Sequence, residues 1–170
     1  MKHVAALAAF LVASLVPAAA DTDARAVYLG SWDGDSTFYA TEMSKAGKGT
    51  GHIDCAWREG TTYLVCSQHF TGSLGSGSGL AVYTHPSPDK YGFLGVDPDG
   101  TTRTPSFTAR NDGSLVYESS FEQKGQKVVM QTVNEFPSPG VENWYVQYSL
   151  DGGKTWVRMG DGVSRRSSGS

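Results

Sequence analysis

The chain has 170 residues, 14 basic and 17 acidic side chains, and a net charge of −3 at neutral pH. The basic residues form no stripe or run, which argues against a nucleic-acid partner and against binding to an anionic membrane surface. Glycine (21 residues), serine and threonine are abundant, and no stretch after the first twenty residues repeats apolar side chains with helical spacing. The sequence therefore predicts an all-β protein.

The first twenty residues have the pattern of a secretory signal. Lys2 precedes an uncharged apolar run over residues 4–15, and Pro17 is followed by small residues that end at Ala20. The run is shorter than the roughly 20 apolar residues that a membrane-spanning helix needs. We therefore expect residues 1–20 to be a cleaved signal peptide, the protein to be exported to the periplasm or secreted, and no membrane span to remain.

Turn-forming residues recur at intervals of about 12 to 15 residues, which leaves room for one strand between successive turns. Asp99-Gly100 and Asp112-Gly113 are typical hairpin turns, because both residue types tolerate a positive φ angle. No segment is long enough for a helical crossover, so consecutive strands should pair as hairpins. We expect about ten strands, over residues 34–43, 49–58, 62–70, 79–85, 90–97, 102–110, 114–122, 127–136, 142–149 and 155–160.

Ten antiparallel strands in an open sheet would leave two exposed edges, and closure removes both. We therefore predict an up-and-down meander closed into a calycin/lipocalin-like barrel. A half-open sheet that dimerises through its edges is the alternative. The domain is expected to cover residues 21–163, with a flexible C-terminal tail over residues 164–170.

Strand register can be predicted from the apolar residues of the second half of the chain. Tight turns place Phe107 opposite Tyr117, Tyr117 opposite Thr132, and Phe121 opposite Val128, all on one face. The candidate interior residues on this face are Phe107, Tyr117, Phe121, Met130, Trp144 and Tyr148. They either line a cavity for a small apolar or amphipathic ligand or form a filled core.

The two cysteines lie in neighbouring predicted strands. A hairpin with Gly60-Thr61 as its two-residue turn places Cys55 opposite Cys66. Side chains of opposed residues are close enough for a disulfide, and an exported protein meets oxidising conditions. We therefore predict a structural Cys55–Cys66 bridge.

The same register places His52 opposite His69, with Asp54 on the His52 face. Two opposed imidazoles could bind a metal, but a third ligand is not identifiable, Asp54 being the nearest candidate. Surface histidines are therefore favoured, and no metal site is predicted. No nucleophile elbow or zinc-ligand spacing occurs either. We therefore predict no catalytic residues, and the sequence does not favour an enzyme.

The residues Ser149-Leu150-Asp151-Gly152-Gly153-Lys154-Thr155-Trp156 match the pattern S-x-D-x-G-x-T-W. This pattern resembles the Asp-box of sialidase propellers, but a single copy excludes a propeller. We predict a structural hairpin in which Asp151 caps turn amides and Trp156 packs against the strands.

Gly30-Ser31-Trp32, near the start of the predicted domain, is similar to the G-x-W motif of calycin barrels. In those barrels the tryptophan closes one end and a late basic residue packs across it, a role that the resemblance gives to Arg158. Together with the late hairpin, the motif resembles an uncharacterised bacterial family of small exported calycin-like (lipocalin-like) proteins. The resemblance implies a fold and no activity. Haem barrels of the nitrobindin type share the early Gly-Trp strand but use a late histidine that this chain lacks, so no cofactor is expected.

Three functions follow from these features as hypotheses. The first is binding of a small hydrophobic ligand inside the barrel. The second is interaction with a cell-envelope partner, such as inhibition of an exported hydrolase through the loop at residues 72–79. The alternative to both is a structural barrel with no ligand. The third is a hydrolase or isomerase built in the barrel, for which no set of residues can be named.

Overall fold

The structure, a computed structural model, describes residues 23–87 and 90–167. The predicted signal peptide lies outside the described residues, as do the last three residues of the predicted tail. Among the described residues, no helix is both long enough and apolar enough to cross a membrane. The chain forms one short 3-10 helix, Ala24–Tyr28, and eleven strands.

All strand pairs are antiparallel. Among the described residues, each strand pairs with the strands before and after it in the chain, except that the sixth and seventh strands do not pair with each other. In addition, the first strand pairs with the last. The strands are β1 Gly30–Phe38, β2 Gly47–Trp57, β3 Leu64–Gly72, β4 Gly75–Ser87, β5 Lys90–Val96, β6 Thr102–Arg103, β7 Ser106–Ala109, β8 Leu115–Gln123, β9 Gln126–Ser138, β10 Val141–Ser149 and β11 Val157–Arg166. The order across the sheet is β6-β5-β4-β3-β2-β1-β11-β10-β9-β8-β7. The prediction of an all-β, calycin-like meander is confirmed.

The two edges of the sheet are joined by one extended segment, residues 102–109. Its start pairs with β5, where Gly95 opposes Arg103, and its end pairs with β8, where Ser106 opposes Glu118. Between these pairings lies Thr104-Pro105, and a proline has no N–H to give to a ladder. We predicted this segment as a single strand, but the break at Pro105 divides it into two short strands. Because one pairs with each edge strand, the segment joins the two edges of the curled sheet.

The hairpin turns follow the residue types that the sequence supplies. Lys124 and Gly125 both have positive φ angles, 52° and 76°, between the opposed residues Gln123 and Gln126. This is the geometry that matches the twist of the flanking strands. The predicted pairings of Phe107 with Tyr117 and of Phe121 with Val128 are confirmed.

The strand boundaries at the two ends of the domain differ from the prediction. Strand β1 begins at Gly30, four residues earlier than expected, and β11 continues to Arg166. Residues 164–166 therefore belong to the sheet and not to a tail. The reason is that β1 and β11 pair with each other from Phe38–Gly160 to Trp32–Arg166, so each strand satisfies the backbone groups of the other.

The disulfide and its register are confirmed, since Cys55 opposes and bonds Cys66. The turn of this hairpin was predicted wrongly. Thr61 N donates to Arg58 O (3.1 Å), so Gly60, with φ of 70°, is the second central residue of the turn and not the first. The loop is longer than predicted, but Trp57 still opposes Leu64, so the register of the hairpin is the one predicted.

The hydrophobic core lies at the end of the barrel that carries the 3-10 helix. Leu64 and Leu115 are fully buried there among stacked rings, including Phe107 on Tyr117 (centroids 4.8 Å apart) and Tyr28 on Tyr83 (5.3 Å). Burying such a side chain stabilises the fold by about 1.5–3 kcal/mol. A second, smaller cluster contains Val128, Tyr148 and Met159. The middle of the barrel, between the clusters, is not filled.

Candidate ligand-binding cavity

A cavity of about 840 Å³ occupies the interior beside the aromatic core. Its wall includes Tyr28, Tyr83 and the Cys55–Cys66 disulfide. Its outer part is lined by residues 103–105 at the break in the closing segment and by residues 119–121 of β8. Strand β8 pairs with β7 only as far as Glu118, so the cavity reaches the surface where the two edges of the sheet separate.

The six predicted interior residues do not all line this cavity. Tyr117, Phe121 and Met130 do, and Phe121 stands at the rim with 39% of its surface exposed. Trp144 lines a second cavity. Phe107 is packed in the aromatic core and Tyr148 in the smaller cluster. The predicted face is therefore partly a cavity wall and partly filled core.

A chain of buried hydrogen bonds forms the floor of the large cavity. Asn134 Nδ2 donates to the Tyr28 hydroxyl (2.6 Å), which is 2.8 Å from the Tyr117 hydroxyl, and Tyr117 donates to the Tyr83 hydroxyl (3.2 Å). Burial raises the pKa of all three phenols above the ordinary tyrosine value. They are therefore neutral hydrogen-bonding groups at physiological pH. Asn134 Oδ1 is buried and has no hydrogen-bond partner among the described residues.

Glu142 is a buried carboxyl in the same wall. Only 5% of its surface is exposed, and its hydrogen-bond partner is the Ser164 side chain. Burial raises its pKa above the ordinary glutamate value. Among the described residues it takes part in no ion pair, which is unusual because buried acidic residues are generally paired.

A second cavity, of about 450 Å³, lies next to the first inside the barrel. Ile53, Gln68 and Phe70 line both, so the two spaces are neighbouring compartments of one interior. Trp144 forms part of the second wall. Its ring can lie against β11 because Gly162 has no side chain: a Cβ atom there would be 2.6 Å from the indole.

The end of the barrel near the 3-10 helix is closed by Trp32. The side chain is 3% exposed, and its Nε1 donates to Tyr28 O (2.8 Å). The cation over its ring is Arg166, 4.7 Å from the centroid, which also donates to the backbone oxygens of Leu29 and Val27.

The assignment of Arg158 to this position was therefore wrong. Arg158 lies over Tyr145 (3.6 Å), 4.0 Å from Asp161, on the outside of the barrel. The physical reason is the register of β11, in which Arg166 opposes Trp32 directly. The tryptophan–arginine arrangement implied by the resemblance is present with a different arginine.

The Asp151 carboxylate organises the β10–β11 loop. It accepts hydrogen bonds from the amides of Lys154 (3.0 Å) and Thr155 (2.9 Å) and from the Thr155 hydroxyl (2.6 Å). These bonds, the Thr155 hydroxyl first, hold its pKa well below the ordinary aspartate value. Trp156, which follows, is half-buried. The box supports a hairpin, as its residues predict.

His52 lies on the outer surface, between two carboxylates. Its Nδ1 is 2.6 Å from Asp33 and its Nε2 3.1 Å from Asp54, and the hydrogen bond to Asp33 is the main cause that raises the pKa of His52. His69 opposes it, as predicted. Within residues 23–87 and 90–167, no group of three or more His, Cys, Asp or Glu residues is arranged to hold a metal.

Sequence reasoning missed Asn134, Glu142 and Arg166. A signal for the first two was present. Glu142 is two residues before Trp144 on the inward face of β10, and Asn134 is two residues after Thr132 on the inward face of β9. A polar residue that continues an inward-facing series marks either a bulge or a buried polar site.

No protein-family model matches the chain, and no curated protein matches it. Solved structures do. The S-type phycobiliprotein lyase CPES from Guillardia theta is 12% identical, with a TM-score of 0.59 over 85% of this chain and 91% of that one. Rv2717c from M. tuberculosis is 14% identical, with a TM-score of 0.60 over 85% of this chain and 96% of that one. At such identities the likeness shows the fold, a lipocalin-like (calycin-like) barrel.

Proposed function

We propose that the protein binds a small apolar or amphipathic ligand in the large cavity. The observation that carries the proposal is the unfilled interior of about 840 Å³, a volume within the range of small-molecule sites. Its wall combines aromatic rings with a few buried polar groups, as ligand pockets do. A barrel evolved only as a scaffold would gain stability by filling this space, since empty volume costs packing energy.

The solved structures that share the fold include a phycobiliprotein lyase. At 12% identity this likeness supports the fold, and the proposal rests on the cavity itself. The aromatic side chains of the cavity wall, such as Tyr28, Tyr83 and Phe93, favour a ligand with an apolar body. The rim near Phe121 gives it a route from the surface.

Binding can be tested with N-phenyl-1-naphthylamine, a neutral dye whose fluorescence rises in an apolar site. The wild-type protein should bind it saturably. Ser119→Trp, which places an indole inside the cavity, should weaken binding by at least about tenfold, because the space for the dye is lost. Glu122→Trp adds the same side chain to the same strand at an exposed, outward position and serves as the matched control.

Equal binding by Ser119→Trp and Glu122→Trp would place the dye elsewhere on the surface. Absence of saturable binding by the wild type, together with no co-purifying small molecule in native mass spectrometry, would refute ligand carriage. The envelope-partner and structural hypotheses would then remain.

We propose further that the protein is exported and belongs to the bacterial family of small exported calycin-like barrels. The pattern of residues 1–20 and the Cys55–Cys66 pair support export, and the closing arrangement of Trp32 and Arg166 supports the family. Mass measurement of the protein recovered from the periplasm or medium should give a chain that starts at Asp21. An intact N-terminus in the cytoplasmic fraction would contradict export.

A further inference from the structure

The described residues that line the large cavity include buried hydrogen-bond acceptors and no unpaired cation. We infer that it selects amphiphiles whose polar head donates hydrogen bonds and carries a positive charge, such as a primary ammonium group, over amphiphiles with an anionic head. The inference rests on the proposed function, because it names the chemical class of ligand for that cavity. Two independent acceptors carry it: the amide oxygen of Asn134 and the carboxyl of Glu142.

The first acceptor is Asn134 Oδ1, the one buried side-chain polar atom without a hydrogen-bond partner among the described residues. The amide nitrogen of Asn134 is already engaged with the Tyr28 hydroxyl, and the side chain lines the cavity. The oxygen has almost no accessible surface, so a ligand N–H reaches it when the amide turns toward the cavity. A buried carbonyl oxygen without a donor is unfavourable, and a ligand N–H would remove that cost.

The second acceptor is Glu142, which lines the same cavity and whose charge acts on the Tyr28 and Tyr83 hydroxyls. The Glu142 side chain and the Asn134 amide therefore belong to the wall of one cavity, which Tyr28 also lines. Ser164 supplies a hydrogen bond to Glu142, and within residues 23–87 and 90–167 no lysine, arginine or histidine forms an ion pair with it. An ammonium group would provide the missing partner charge.

The remaining charges of the cavity wall cancel each other. Of the described residues that line it, Asp97 and Arg103 are the other charged ones, and they form an ion pair of 2.5 Å at the rim. The Arg103 side chain is 66% exposed, so it faces water and not the floor. An anionic head that reached the floor would meet Glu142 without a compensating cation. The phenol rings around the floor also suit a cation, through their negative faces.

The test compares dodecylamine, dodecanol and dodecanoate, below their micelle concentrations at neutral pH, as competitors for bound N-phenyl-1-naphthylamine. The three share one apolar tail and differ in the head. The wild-type protein should release the dye at a dodecylamine concentration at least about tenfold lower than for dodecanoate, with dodecanol between them. Glu142→Gln should reduce this preference to about threefold or less, while dodecanol competes as before. Glu135→Gln, which removes an exposed carboxylate from β9, should keep the full preference.

Equal or stronger competition by dodecanoate against the wild type would overturn the inference, and this measurement depends on no variant. An equal loss of preference in Glu142→Gln and Glu135→Gln would also overturn it, since general surface charge would then be the cause. Failure of the dye itself to bind would instead refute the proposed function. The two failures are therefore distinguishable.

Discussion

Replacing Gly162 by alanine tests how closely the barrel wall is packed against Trp144. The Cβ atom of an alanine would be 2.6 Å from the indole and would also contact the backbone oxygen of Asp35. The indole can move toward the second cavity, but the Asp35 oxygen belongs to β1, which pairs with β11 at this point. Relief of the clash therefore requires the two strands to separate locally.

Overpacking of this kind costs about 1–3 kcal/mol, and the backbone contact places Gly162→Ala near the upper value. The lower entropy of an unfolded alanine returns at most about 1 kcal/mol. We expect a net loss of about 2 kcal/mol in the free energy of unfolding. For a domain of this size that corresponds to a fall in Tm of about 4–8 °C, measured by circular dichroism.

Gly51→Ala is the matched control. Like Gly162, Gly51 is a strand glycine, and it lines the second cavity that Trp144 borders. A Cβ atom there would meet its nearest neighbour, His69 O, at 3.6 Å, an ordinary contact. Its Tm should be unchanged or slightly higher than that of the wild type, since only the entropy gain remains. If Gly162→Ala proves as stable as Gly51→Ala, the close packing of Trp144 on β11 is refuted.

The disulfide and two side-chain contacts give separate tests of stability. Replacing both cysteines by alanine should lower the free energy of unfolding by about 3 kcal/mol, since the bridge closes a short loop, of separation 11, in the unfolded chain; equal urea midpoints for the variant and the oxidised wild type would contradict this. Arg166→Met should lower it by about 1–2 kcal/mol through loss of the contact with the closing tryptophan, whereas Arg158→Met on the outer face should change it by less than about 0.5 kcal/mol. Asp151→Ala should lower the Tm at neutral pH. Because hydrogen bonds led by Thr155 depress the pKa of Asp151, the stability that it contributes is present above the ordinary carboxylate pKa, about 4, and is lost as the pH falls below that value. The two Tm values should converge on acidification, and a constant difference would refute the role of the charge.

Much of the fold could be predicted from the sequence, because hairpin geometry depends on local chemistry. The Lys124-Gly125 turn, with positive φ at both residues, sets the pairing of β8 with β9, and side-chain alternation then places every residue of both strands on a definite face. The same logic brought Cys55 opposite Cys66 even though the turn type was wrong. The register was correct because a shorter and a longer loop centred on the same position leave the same residues of the two strands opposed.

Pairing between distant parts of the chain could not be predicted in this way. No turn connects β1 with β11, so nothing local indicates that Trp32 opposes Arg166. The wrong assignment of Arg158 and the wrong tail boundary at residue 163 both result from this missing information about the β1–β11 pairing. Strand β11 extends to Arg166 because β1, more than a hundred residues away in the chain, pairs with it there. Which distant strand offers its backbone N–H and C=O groups cannot be read from the local sequence.

The same distinction between local and long-range interactions applies to the candidate site. By itself, the sequence determined an all-β meander, its hairpin registers, the disulfide and an inward aromatic face, because these follow from residue period and turn chemistry. The tertiary structure decided which part of that face is filled and which part is open, and it brought Asn134 and Glu142 to the wall of one cavity. Whether an interior is empty depends on how the whole sheet curls and on how far opposite walls stand apart. That distance is a property of the closed barrel and of no single hairpin.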